Sequence, residues 1–70
     1  MSAARLFDHL LRTHNIKNDR ALAEVLGTSP AAISKTRAGK IAFGAERILV
    51  IHDLFGMSIK EIKEMLNEQG

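Results

Sequence analysis

Seven lysines and arginines stand in residues 1–40 (Arg5, Arg12, Lys17, Arg20, Lys35, Arg37 and Lys40) against Asp8, Asp19 and Glu24, a local net charge of +4. Residues 41–70 reverse the balance, with Arg47, Lys60 and Lys63 against Glu46, Asp53, Glu61, Glu64 and Glu68, a net of −2. A split of this kind suits a first half that meets a polyanion and a second half that does something else. Other chemistry finds little material. The chain has no cysteine, so disulfides, thiol catalysis and Cys-type zinc sites are excluded. His9, His14 and His52 are not spaced as a ligand pair on one helix face, and no metal or cofactor is expected. There is no Gly-x-Ser-x-Gly, and "GKIAFG" lacks the flanking strand that a phosphate-binding loop requires, so an enzyme is not expected. The three phenylalanines make a poor stacking platform for single strands, because Phe7 and Phe55 fall in apolar stripes and only Phe43 lies in a loop.

The elements that must position these charges are short helices. Seventy residues make one domain, and a chain of this size buries only about 60% of the surface that its unfolded form exposes. The longest apolar runs fall far short of a membrane span, and nothing suggests an oxidising compartment, so the expected location is the cytoplasm. Leu6, Phe7, Leu10 and Leu11 recur at helical spacing and predict a first helix over residues 3–14, with Ser2 as its cap. "NIKN" breaks it. Asn18 then caps a second helix of about eight residues, carrying Leu22, Ala23, Val25 and Leu26, which Gly27 ends. Ser29 caps a third helix and Pro30 fits its first turn, because proline lacks an N–H and has φ already set. Gly39 stops that helix near Ala38, and Ile33 is its one large apolar residue.

A fourth helix runs from Gly44 or Ala45 to Phe55, with Ile48, Leu49, Ile51 and Phe55 expected inward and Val50 and Leu54 widening the stripe. Ser58-Ile-Lys-Glu61 is a capping box for a fifth helix bearing Ile59, Ile62, Met65 and Leu66, and the terminal "NEQG" should fray. Met57, Ile59, Val50 and Leu54 either close the core or leave an apolar seam near the fourth and fifth helices. The break in the middle carries the most information. Gly27 needs a positive φ, Ala23 is small where a neighbouring helix must cross, and Ile33 can drop into the same space. Together they describe two helices crossing steeply through a tight turn, with the second presented outward, the geometry of a helix-turn-helix.

"NDRALAEVLGTSPAAISKTRAGK" resembles the helix-turn-helix of the XRE, or lambda repressor-like Cro/cI, family, in which a Leu-Ala pair, a Gly-x-Ser turn, an Ile-Ser pair and a closing Gly-Lys recur at this spacing. "LFGMSIKEIKEML" is similar to the family's junction between fourth and fifth helices, so the likeness covers most of residues 5–66. The resemblance implies an all-α, five-helix domain that binds double-stranded DNA as a homodimer on a palindromic operator, a Cro-like repressor associated with the nucleoid. It places Pro30, Ala31, Ser34 and Lys35 at base edges, and Asn18, Arg20, Thr28, Arg37 and Lys40 at phosphates.

Three positions depart from the family's pattern. Asp19 and Pro30 stand where glutamines are common, so Asp19 should repel phosphate and Pro30 removes a reader of adenine. Arg37 stands where a glutamate often pairs with an arginine corresponding to Arg12, so that ion pair cannot form. A different class of function fits the same fold: a protein-interaction module, such as an antitoxin or accessory regulator, whose main ligand is a protein.

Overall fold

Five stretches of this chain form helices in the computed structural model, which describes residues 2–67. The helices are α1 (Ser2–Thr13), α2 (Asp19–Leu26), α3 (Pro30–Arg37), α4 (Ala45–Phe55) and α5 (Ile59–Asn67), and the described residues contain no strand. The protein is therefore all-α. The tail expected to fray is residues 67–70, of which Asn67 is the last residue of α5 and 68–70 lie outside the described residues. α1 begins at Ser2 itself, the residue expected to cap it. It ends where Asn15 turns into the left-handed region at φ 55°, a conformation that asparagine tolerates better than most residues.

The N-terminal caps of α2, α3 and α5 are local side-chain contacts, while Gly44 before α4 makes none. The Asn18 side chain accepts a hydrogen bond from the Ala21 N–H at 2.9 Å, and Ser29 Oγ accepts one from the Ala32 N–H at 3.1 Å. At α5 the capping is reciprocal: the Glu61 N–H donates to Ser58 Oγ at 3.0 Å, and the Ser58 N–H donates to Glu61 Oε1 at 3.3 Å. α2 and α3 end alike. Gly27 at φ 74° lets the Thr28 N–H reach back to Ala23 O at 2.9 Å, and Gly39 at φ 79° lets the Lys40 N–H reach Lys35 O at 2.9 Å. α4 ends at Gly56, where the His52 ring Nδ1–H also donates to Met57 O at 2.7 Å and ties the helix to the start of the next loop.

The core gathers Leu6, Phe7 and Leu10 of α1, Leu22, Ala23 and Leu26 of α2, Ile33 of α3, Ile51 of α4, Met57 of the loop after α4, and Ile62 of α5. α1 contributes at i, i+3, i+4 and i+7 spacing through Ala3, Leu6, Phe7 and Leu10, one face of a 3.6-residue period. α4 departs from expectation. Leu49, expected inward, is 51% exposed, and of the helix's apolar residues only Ile51 is fully enclosed. The reason is angular: two residues apart on a helix means about 160° between side chains, so Leu49 and Ile51 cannot share one inward face. Ile48, Val50 and Phe55 are half-buried, and Leu54 is exposed. Of the four residues that could have formed a seam, Met57 closes the core, Val50 packs at its edge, Ile59 is half-buried and Leu54 faces solvent. No helix among the described residues is long and apolar enough to cross a membrane.

Candidate nucleic-acid interface

Two buried side chains anchor the inner face of α3. Ile33 and Thr36 are buried, and the Thr36 hydroxyl removes its own burial cost by donating to Ala32 O at 2.7 Å. At 100° per residue Ala31, Ser34 and Lys35 fall on the side opposite that buried pair, and all three are exposed. Pro30 is exposed at the helix start. The four residues expected at base edges thus lie on the open side of one short helix, with Lys35 in its last turn, where a cation complements the helix dipole.

The turn before α3 is built by Ala23, Gly27 and Ile33. Ala23 and Ile33 are buried, and a Cβ placed on Gly27 would meet no atom within 4 Å, so glycine serves there for its backbone conformation and not for space. Thr28 is half-buried and its backbone N–H is already used by Ala23 O, which leaves only its hydroxyl for a ligand. Asn18 is exposed; its Oδ1 is occupied as the α2 cap, and its amide N–H groups remain as donors. Arg20 and Lys40 are exposed through their side chains.

Arg37 is engaged within the protein. Expected at a phosphate, its guanidinium is turned to the protein: Nε donates to Asp19 Oδ2 and Nη2 to Asp19 Oδ1, each at 2.9 Å, a bidentate fork. Nη1 lies 2.9 Å from Asp8 Oδ1 and donates to Ala4 O at 3.3 Å, while the guanidinium carbon stands 5.6 Å from the Phe7 ring centre. Through these contacts Arg37 ties α3 to α2 and α1. Its ionisation is raised from the ordinary arginine value, chiefly by the hydrogen bonds to Asp19, with partial burial opposing and Asp8 adding to the rise. The expected repulsion by Asp19 changes accordingly, because that carboxylate is matched by the Arg37 fork. A signal was present in the sequence: an acid at 19 near the start of α2 and a base at 37 at the end of α3 have complementary charge. Asp8 and the Ala4 carbonyl carried no such signal.

No protein-family model, curated protein or solved structure matches the chain. The site therefore stands on its own geometry: one outward helix face bearing a hydroxyl and a cation, exposed Arg20 and Lys40, and an internally neutralised Asp19–Arg37 pair. Phe43, the one aromatic that sequence left open for stacking, is half-buried with its ring 5.7 Å from that of Phe7.

Proposed function

We propose that this chain is a sequence-reading, double-stranded DNA-binding regulator of the lambda repressor-like type, in which α2 and α3 form the helix-turn-helix and α3 enters the major groove. The observation that carries the reading is α3 itself, a helix anchored by Ile33 and Thr36 whose opposite side presents Ala31, Ser34 and Lys35 to solvent. In the groove Lys35 donates to guanine O6 and N7, Ser34 serves more than one base, and the Ala31 methyl or Pro30 ring contacts a thymine methyl. Arg20, Lys40 and the Asn18 amide hold phosphates and set the register. With no side-chain amide on that face, sequence preference also draws on DNA deformability. A twofold dimer places two α3 helices about 34 Å apart on successive major-groove faces, and occupancy of an operator represses by exclusion. Exposed Leu49 and Leu54 on α4 supply apolar surface for that contact.

The same two leucines favour a second reading, a module whose main ligand is a protein. Two of the three departures that supported it, Asp19 and Arg37, are accounted for by their mutual ion pair. Selection from a randomised duplex pool, repeated with Lys35→Ala, separates the readings. An enriched palindrome that relaxes in the mutant supports the regulator, and Lys40→Ala should then lower the salt slope by about one unit. No enrichment, with binding that vanishes at moderate salt, transfers the function to a protein partner.

A further inference from the structure

The two half-buried arginines of this protein are treated differently. Arg37 has two carboxylates and a carbonyl around it. Arg47 is also half-buried, yet among the described residues its guanidinium has no ion-pair or hydrogen-bond partner. It stands in the first turn of α4, where the helix dipole is unfavourable to a cation. Arg47 lines an open cavity of about 370 Å³ between the end of α2 and the start of α4, a volume within the range of small-molecule sites. Leu26, Ile41, Phe43 and Val50 make the apolar wall, and Thr36 of α3 also lines it.

We propose that this cavity binds a small amphipathic carboxylate, with an alkyl or aryl body against the apolar wall and its single negative charge on Arg47. Charge complementarity selects the ligand class. Glu46 also lines the cavity from an exposed position, and its charge disfavours polyanions and leaves a monoanion as the match. The occupant would touch α2, α3 and α4 together, so its binding stabilises the arrangement of those helices. Nothing in this inference depends on DNA binding.

Octanoate titrated into the whole chain, followed by amide NMR and by thermal unfolding, is the test, with octanol and octylamine as matched controls. Octanoate should saturate, move the amides of Leu26, Thr36, Ile41 and Val50, and raise Tm. Octanol, octylamine, or octanoate on Arg47→Gln should bind about tenfold more weakly, the scale of one charge-assisted hydrogen bond. Ala42→Leu adds bulk from an exposed lining position without touching Arg47 and should block octanoate in a folded protein. Equal affinity for octanol, unchanged binding in either variant, or shifts centred on Leu49 and Leu54 would overturn the proposal.

Discussion

Replacing Arg37 with methionine keeps much of the aliphatic stem and deletes the charge, which isolates the ion pairs. The Arg37 side chain is 23% exposed, that of Asp19 36% and that of Asp8 52%, so the two pairs sit between the surface and buried extremes. Exposed pairs contribute about 0.2–1 kcal/mol, and breaking fully buried ones costs about 3–5 kcal/mol. A solvent-screened but bidentate contact to Asp19 should therefore contribute about 1.5 kcal/mol, and the half-exposed contact to Asp8 about 0.5 kcal/mol. Arg37→Met should cost about 2 kcal/mol, a large fraction of the stability of so small a domain. For a chain of this length that corresponds to a fall in Tm of about 10 °C.

Thermal circular dichroism of the wild type, Arg37→Met, Asp19→Asn, Asp8→Asn and the two double variants gives the coupling energies directly. The Arg37–Asp19 coupling should exceed the Arg37–Asp8 coupling. A value below about 0.3 kcal/mol for Asp19, or the reverse order, would refute the assignment of Asp19 as principal partner. The pH dependence has a definite sign. The folded ionisation of Arg37 lies above its unfolded one, so its contribution is complete below the unfolded value and is lost only as pH rises through the folded one. From about pH 6 to about pH 9 this group should leave stability flat.

Two further outcomes test the backbone and the core. Gly27→Ala meets no atom within 4 Å, so its whole cost comes from holding φ at 74°; urea unfolding should show a loss of about 1–2 kcal/mol, and Gly27→Asn a smaller one. Ile62→Ala should cost about 2–5 kcal/mol because the side chain is completely enclosed, whereas Leu49→Ala, at a residue 51% exposed, should stay within about 0.5 kcal/mol; equal losses would return Leu49 to the core.

The helix ends were legible because their physics is local. Asn18 with Ala21, Ser29 with Pro30 and Ala32, and Ser58 with Glu61 each complete a contact within three residues, and Gly39 needs only its own φ. α4 was legible as a helix but not in its orientation. With apolar side chains on nearly every side, its pattern does not say which stripe turns inward, and only the neighbours it meets choose Ile51 over Leu49. The outward face of α3 was readable for the opposite reason, because one large apolar residue leaves a single way for the helix to sit.

Arg37 shows where residue-by-residue reading of a binding surface fails. Taken singly, Asp19 is a carboxylate that repels phosphate and Arg37 is a cation that attracts it, and each would alter the site. They lie 18 residues apart in the chain and become one object only when α2 and α3 fold together. As a pair they nearly cancel at long range, and what survives is mechanical: a fork that fixes the end of α3 against the start of α2, with Asp8 adding α1. The same reasoning gives Arg47 its interest. Arg37 meets two carboxylates of the chain, whereas the half-buried residue Arg47 meets none among the described residues. A protein that satisfies one such group so fully and leaves the other unmet has the means to receive a carboxylate from outside.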